Sequence, residues 1–241
     1  MLAKILPIKV EKKQIFKIIC SSIEQIDKED NLIFKGHKVD KNLFKRICDI
    51  VITSFTFIFI LSWLFPLLAV VIKISSKGPV FFSQKREGVN RKVFSCIKFR
   101  TMIANSKDID DDGKYVQATY KDIRITKVGS FLRRTSLDEL PQFINVLKGE
   151  MSIVGPRPHP IPLNRESEKN IAGYNLRHLV KPGITGLAQV NGFRGETKQI
   201  GSMKKRVEND LIYIRNWNWI IDFKIIVMTV KNIIIGEDHV Y

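Results

Sequence analysis

The hydrophobic pattern changes character along the chain, and its longest apolar stretch is the most informative. From Ile50 to Ile72 the sequence IVITSFTFIFILSWLFPLLAVVI carries no charged residue. As a helix this run is roughly 35 Å long, enough to cross the hydrocarbon of a bilayer. Pro66 interrupts it, and the missing N–H together with the clash against the preceding turn predicts a sharp bend there. Lys41, Lys45 and Arg46 precede the run, while Lys73, Lys77, Lys85, Arg86, Arg91 and Lys92 follow it. Basic flanks tend to stay in the cytoplasm, and here that tendency applies to both ends. A single-pass helix and a re-entrant helix bent at Pro66 both fit the length; the charges favour the second. The backbone groups freed at the bend then need Ser62, water or packed protein as partners.

Beyond the run, GPVFFSQKREGVNRKVFSCIKFRTM (Gly78 to Met102) alternates apolar and polar positions around Gly88-Val89-Asn90, the pattern of a β-hairpin. Ser106 to Asp122 is acidic and weakly periodic, which predicts a surface loop, and it lacks the spacing of a calcium-binding EF-hand. VGSFLRRTSLDELPQFINVLKG has helical spacing interrupted at Pro141, so Asp138 and Glu139 sit at a helix entrance. Near the end, KKRVENDLIYIRNWNWIIDFKIIVMTVKNIIIG mixes basic residues and two tryptophans with aliphatic clusters. That mixture fits helices lying in a membrane interface, with a packed core helix as the alternative. The elements together predict an α+β, mostly helical chain. Residues 1–40 form an N-terminal extension, 41–77 the membrane helix region, and 78–241 a cytoplasmic body.

Composition narrows the class. With 44% hydrophobic residues in 241 the chain folds. Its 40 Lys+Arg against 24 Asp+Glu and net charge of +16 call for a polyanionic neighbour: nucleic acid, an anionic membrane or a phosphorylated substrate. Cys20, Cys48 and Cys96 are widely spaced and form neither a disulfide framework nor a zinc motif, which fits a reducing compartment. No RNA-binding or helix-turn-helix signature accompanies the basic charge, and a nucleic-acid reading leaves the apolar run unexplained.

Within this basic chain, RRTSLDELPQFINVLKGEMSIVGPRP places two adjacent carboxylates between an arginine pair and a Gly-Pro-Arg-Pro turn. Ser136-Leu137-Asp138-Glu139 fits a capping box, and acidic residues suit a helix N-terminus, so a purely structural role accounts for the pair taken alone. The surroundings ask for more. Lys98, Arg100, Arg124, Arg133, Arg134 and Arg157 recur near turn residues, and two prolines stiffen the backbone around Arg157. Fixed guanidinium forks of this kind suit phosphate oxygens. If the substrate carries a diphosphate, Glu139 can hold a Mg²⁺ that bridges its oxygens while Asp138 attacks phosphorus.

At these residues the chain resembles the bacterial monotopic phosphoglycosyl transferases. KRICDIV, GPVFFSQKREG, KFRTM, the segment from Arg124 to Pro158, KPGITGLAQVNG and the D-L-x-Y-x-x-N-W run starting at Asp210 follow that family's order. The resemblance implies a monotopic enzyme of the bacterial inner membrane, on its cytoplasmic face, with a re-entrant helix broken at Pro66 and interfacial amphipathic helices. It implies a ping-pong reaction in which Asp138 takes the phosphosugar from a UDP-sugar, releases UMP, and passes it to undecaprenyl phosphate. Glu139 matches the Mg²⁺ ligand and Arg157 a phosphate contact. Gln189, Asn191 and Asp210, within the matching segments, are implied substrate-binding positions beside Lys98, Arg100, Arg124, Arg133 and Arg134. Membrane lipid is an implied partner and nucleic acid is not; self-association stays open.

GFRGET (Gly192 to Thr197) and GPRPHP resemble members transferring glucose 1-phosphate in exopolysaccharide synthesis. Galactose- or N-acetylhexosamine-1-phosphate transfer and a noncatalytic scaffold within a polysaccharide assembly complex are the alternatives. The chain departs from the family at Phe65, Ile123 and Leu187, where serine, Asp-Pro-Arg and tryptophan are usual. Glucose-type members also carry several N-terminal transmembrane helices, which the charged segment ahead of Lys41 is not expected to supply.

Overall fold

The computed structural model describes residues 31–33, 35–106, 116–119, 122–195 and 200–235. The expected extension over residues 1–40 and the acidic loop over 106–122 thus lie largely outside the described residues. Helices predominate: α1 (Leu43–Thr56), a π turn (Phe57–Leu61), α2 (Ser62–Ser75), α3 (Lys127–Arg134), α4 (Gln142–Leu147), α5 (Ile161–Asn170), α6 (Leu187–Val190), α7 (Ile200–Asn216) and α8 (Trp219–Ile235). Short strands β1 (Phe81–Glu87), β2 (Val93–Phe99), β3 (Ser152–Val154) and β4 (Gly183–Thr185) form two separate pairs.

The apolar run is helical from Leu43 to Ser75 without interruption, long and apolar enough to cross a membrane. The helix does not end at Pro66, which lies inside α2. The irregularity falls one turn earlier, in the π turn, where the Ser62 N–H reaches back to the Phe57 carbonyl. The proline ring clashes with the carbonyl four residues before it, that of Ser62, and widening the turn ahead of that carbonyl relieves the crowding. The Ser62 hydroxyl and Trp63 Nε1 donate to the carbonyls of Ile58 and Phe59 at 2.7 and 3.0 Å. The rings of Phe57 and Phe65 come within 5.8 Å, although eight residues of straight helix advance by about 12 Å. The two halves therefore do not continue along one line.

Both ends of this helix are fastened to the same body. At the first end Asp49 is buried and accepts from Ser152 Oγ and Ile153 N at 3.1 and 3.0 Å. Arg46 donates to the last carbonyls of α4, Val146 and Leu147, where the helix dipole favours a cation. Lys45 pairs with Asp222 at 2.6 Å, and Asp222 also accepts from Tyr213 and Trp217, joining α1 to α7 and α8. At the second end Leu68 and Ile72 pack with Phe99 and Leu132. Arg100 caps α2 by donating to the carbonyls of Ser76 (2.6 Å) and Lys77 (3.1 Å). Between the two anchors Val51, Phe55, Ile58, Phe59, Trp63 and Leu67 stay exposed.

The expected hairpin is present: β1 and β2 pair antiparallel from Phe81↔Phe99 to Glu87↔Val93, and Asn90 and Arg91 take positive φ in the turn. β3 and β4 pair in parallel, Ser152↔Gly183 and Val154↔Thr185. Their backbones approach so closely that a Cβ on Gly183 would fall on the Gly155 nitrogen and one on Gly155 on the Lys181 carbonyl, so side chains are excluded there. The C-terminal run divides at Asn218, which accepts from Ile221 N at 3.0 Å. α7 is a packed helix, burying Met203, Val207, Tyr213 and Ile214. α8 inserts Ile225 into the core and leaves Trp219, Phe223, Val227, Val230 and Ile234 exposed.

His178 lies in the 3-10 turn Tyr174–Leu179, buried to 8% exposure, and burial together with Arg177 pushes its pKa down to about 4. The unfolded chain therefore takes up a proton below pH about 6.5 that the folded chain refuses until near pH 4. Stability is full above that upper limit and falls with acidification, by up to about 3 kcal/mol from this group at pH 4. Denaturant midpoints in detergent at pH 7.5, 6 and 5 should fall in that order, and His178→Gln should flatten the slope. An unchanged slope would assign the loss to other groups.

Candidate active site

The acidic pair is placed by a chain reversal. α3 ends at Arg134, and Ser136 then adopts the left-handed conformation (φ 59°) at a position where glycine is usual after a helix. Leu137–Glu139 follows as a 3-10 turn before Pro141 leads into α4. Ser136 makes no capping hydrogen bond, so the expected capping box does not form: its backbone is spent on the reversal. Asp138 and Glu139 are instead buried beside β2.

Each carboxylate has a different environment. Glu139 accepts a bidentate fork from Arg157, at 2.9 Å from Nη1 to Oε2 and through a second bond from Nη2 to Oε1, and Lys98 Nζ donates to it at 2.9 Å. Burial alone would raise its pKa, but Arg157 and Lys98 together hold it well below the usual carboxylate range. Asp138 accepts no hydrogen bond from the described residues, and Lys98 Nζ stands 3.9 Å away. Burial pushes its pKa up against the pull of Lys98, with the charge on Glu139 adding to the rise. Lys98 itself is shifted down, because burial and neighbouring Arg157 outweigh the two carboxylates.

Arg157 is pinned from both sides. Gly155 N donates to Thr185 O and Gly183 N to Pro156 O, each at 2.9 Å, so the β3–β4 pair holds the turn. Beneath it Arg177 Nη2 donates to the Arg157 carbonyl at 2.7 Å, and Arg86 Nη1 donates to that of Pro158. The fork thus reaches Glu139 from a backbone with little freedom.

The pair opens onto a cavity of about 330 Å³ between the hairpin, the 3-10 turn, the Arg157 turn and α7. Of the residues expected from the sequence, Lys98, Arg100, Arg133, Asp138, Glu139 and Arg157 line it. Arg100 does so while capping α2, and Arg133 Nε donates to Thr101 Oγ1 at 2.7 Å. Arg124 does not line the cavity: it forks onto Asp122, two residues away. Arg134 is exposed elsewhere. Gln189 is buried and donates to Ile184 O; Asn191 is exposed and donates to Asn209; Asp210 is buried in an ion pair with Arg177 at 2.7 Å. These three also lie outside the lining. Arg86, His159, Arg194 and Arg206 line the cavity without having been expected. His159 belongs to the GPRPHP run and Arg194 to GFRGET, the two runs that carry the glucose-type resemblance, whereas Arg206 lies in a basic stretch whose composition suggests an interfacial helix.

The arrangement offers one buried carboxylate with only a long ion pair to Lys98, beside a second that is tied to fixed cations, in a cavity where, among the described residues, cations outnumber acids. An anionic ligand fits such a place, and Asp138 has an unoccupied oxygen to present to it.

Arg157→Ala would leave Glu139 buried with Lys98 alone, and the fold should lose about 3 kcal/mol. Adding Glu139→Gln should recover part of that loss, because the two side chains act as a pair. Chemical denaturation of both single variants and the double variant measures the coupling; strictly additive losses would show that the fork is dispensable.

Residues 40–236 match a sequence model described as bacterial sugar transferase. The chain is 53% identical over 188 residues to a UDP-glucose:undecaprenyl-phosphate glucose-1-phosphate transferase of Klebsiella pneumoniae, covering 78% of this chain and 39% of that protein. It is 47% identical over 230 residues to a protein of the same name from Xanthomonas campestris pv. campestris, covering 94% of this chain and 46% of the relative. The exopolysaccharide production protein PSS of Rhizobium leguminosarum bv. phaseoli is 40% identical over 191 residues, 78% of this chain and 94% of its own length. The chain thus spans under half the length of the first two relatives and most of the third.

Proposed function

The chain belongs to the bacterial sugar transferase family, and on that premise we propose that it transfers a hexose 1-phosphate, glucose 1-phosphate first among them, from a UDP-sugar to undecaprenyl phosphate. UMP is released, and the product begins an exopolysaccharide or capsule repeat at the membrane. The names of the relatives support the donor and acceptor. One observation carries the mechanism: Asp138 faces the cavity and accepts no hydrogen bond from the described residues, beside a Glu139 held by Arg157 and Lys98.

In the first step an Asp138 oxygen attacks the sugar-bearing phosphorus, and the bond from that phosphorus to the UMP oxygen breaks with its electron pair leaving on UMP. In the second step an oxygen of undecaprenyl phosphate attacks the same phosphorus, and the bond to Asp138 breaks to restore the carboxylate. Splitting one transfer between two bulky anions into two displacements gives each a single bound electrophile. Lys98 and Arg157, which line the cavity beside Asp138, would meet the charge that builds on the phosphoryl oxygens. Adjacent carboxylates facing a cavity are hard oxygen donors of the kind Mg²⁺ takes, one or two from protein and the rest from phosphate and water. Glu139, whose Oε2 accepts only from Arg157 among the described residues, would hold the ion, which would supply charge neutralisation for the diphosphate.

With a UDP-sugar and Mg²⁺ but no lipid acceptor, the protein should release up to one equivalent of UMP and gain the mass of the phosphosugar on the Asp138 peptide. Asp138→Asn should abolish both signals and slow turnover by about 10³-fold or more. Glu139→Gln should be severely impaired, with partial recovery at high Mg²⁺. UDP-glucose should outcompete UDP-galactose and UDP-N-acetylglucosamine. UMP appearing only when both substrates are present, with Asp138→Asn near wild-type rate, would remove the covalent mechanism.

The bilayer placement follows the same reading: the apolar helix enters the inner membrane and returns, keeping the body on the cytoplasmic face. Support comes from the two ends of the helix, which are fastened to one body, and from the exposed apolar side of α8. In a background with Cys20, Cys48 and Cys96 replaced by serine, single cysteines at Lys41 and Lys77 should both resist an impermeant maleimide added to intact cells. Labelling of one and not the other would mean that the helix crosses.

A further inference from the structure

Three buried guanidiniums of the cavity, Arg86, Arg100 and Arg206, have no carboxylate partner among the described residues; Arg100 is spent on capping α2, which leaves the other two. Arg86 (8% exposed) donates to the Pro158 carbonyl and, at 3.0 Å, to the Gln84 amide oxygen, and its Nε–H has no acceptor. Arg206 (5% exposed) donates to the carbonyls of Phe193 and Gly195 at 3.0 and 3.1 Å, and its Nη1 faces His159 Nε2 at 3.3 Å. His159 lies between them. Arg177 Nη1 and the Tyr174 hydroxyl stand 2.6 and 2.7 Å from its Nδ1, and Arg206 Nη1 stands 3.3 Å from Nε2, so two guanidiniums compete for the one ring lone pair of a neutral imidazole.

The positive charge here is unbalanced. Burial, then Arg177, Arg206, Arg86 and Arg157 in turn, hold His159 far below the usual imidazole range. Burial and the neighbouring Arg157 and Arg177 push Arg206 itself down to about 10. Arg157 has Glu139 and Arg177 has Asp210; among the described residues Arg86 and Arg206 donate only to neutral oxygens. Unpaired buried charge is costly, and a bound anion removes the cost.

Position along β1 decides which anion. Phe81 stacks on Phe99 at 5.3 Å, within the cluster at the end of α2, and Lys98 pairs with Phe82, so the acidic pair works near the end of the cavity that the apolar helix adjoins. Arg86 stands four residues beyond Phe82, the partner of Lys98, on the side away from the apolar helix, and its guanidinium donates to the Pro158 carbonyl next to Arg157, close enough for its charge to act on Lys98 and so within reach of a phosphate joined through one oxygen to the phosphorus at Asp138. A phosphate tethered to a membrane-embedded lipid reaches the first end, whereas a soluble nucleotide is free to occupy the second.

We infer that Arg86, His159 and Arg206 form an anion subsite for the nucleotide phosphate of the donor, the phosphate that leaves with UMP. This rests on the reading above and adds a division of the cavity into a lipid end and a nucleotide end. Arg206 has a second duty there, since its bonds to Phe193 and Gly195 hold the loop that carries Arg194 toward Asp138 and Glu139.

Equilibrium titration of the detergent-solubilised protein with UMP and with uridine tests it, because binding needs no turnover. Wild type should bind UMP more tightly than uridine. Arg206→Gln should weaken UMP by about tenfold or more while leaving uridine nearly unchanged, the loss expected for one charge-assisted contact. Arg206→Lys, which keeps the charge but not the fork, should retain most of the preference for UMP, and Arg86→Gln should reproduce the loss. In turnover assays the KM for the UDP-sugar should rise and that for undecaprenyl phosphate stay within about twofold of wild type. UMP affinity unchanged in both glutamine variants overturns the subsite. An equal loss in Arg206→Gln and Arg206→Lys reduces Arg206 to a loop fastener and also overturns it, as does a rise confined to the KM for undecaprenyl phosphate. Wild-type protein that binds no UMP sinks the subsite and the donor assignment together; UMP binding of the expected pattern without covalent intermediate removes only the mechanism.

Discussion

The fork between Arg157 and Glu139, completed by Lys98, is the contact on which the site depends. Two neighbouring carboxylates taken out of water repel each other, and each alone would be pushed toward its neutral form. Fixing one of them as an ion, by a bidentate guanidinium and an ammonium, leaves the other facing the cavity without a hydrogen bond from the described residues. The fork also joins three pieces of chain distant in sequence: the outer rung of the hairpin, the reversal after α3, and the turn after β3. Close contact of Gly155 with Gly183 sets the last of these, since any side chain at either position would push the strands apart and carry Arg157 away.

A second constraint orients this centre. The apolar helix is held at one end by Lys45, Arg46 and Asp49 and at the other by Arg100, so its exposed middle projects from the body in a direction fixed by ion pairs and hydrogen bonds. Arg100 matters doubly, because the residue that caps α2 also lines the cavity. The apolar helix and the cavity are thereby coupled through one side chain. Asp222 plays the matching part at the other end, tying α1 to α7 and α8.

Several features could be read from local pattern. The hairpin follows from alternation around Gly88-Val89-Asn90, the long helix from its charge-free run, and the acidic pair and Arg157 stand out because they are framed by prolines and arginines. Other features could not. Ser136 has the spacing of a capping residue but serves a left-handed reversal, since the demand on its backbone comes from packing against β2. Arg124 and Arg134 look equal to Arg133 in sequence, yet only Arg133 of the three lines the cavity: Arg134 is its neighbour on a helix and faces another direction, and Arg124, ahead of that helix, forks onto Asp122. Arg206 sits in a basic run with no mark to separate it from Lys204 and Lys205; only the turn of α7 brings it beneath His159.

The amino-acid sequence by itself determined the elements whose cause is local: the membrane-length helix, the hairpin, and a chemistry of paired carboxylates among guanidiniums, because spacing and residue type are sufficient for those. It also carried the family, through segments in a fixed order along the chain. The tertiary structure alone decided which carboxylate is tied and which is free, which arginines share the cavity, and where the helix changes register. Those outcomes depend on burial and on contacts between segments up to 177 residues apart, such as Lys45 with Asp222. Desolvation sets the energy of every charge in the site, and it exists only once the chain has closed around them.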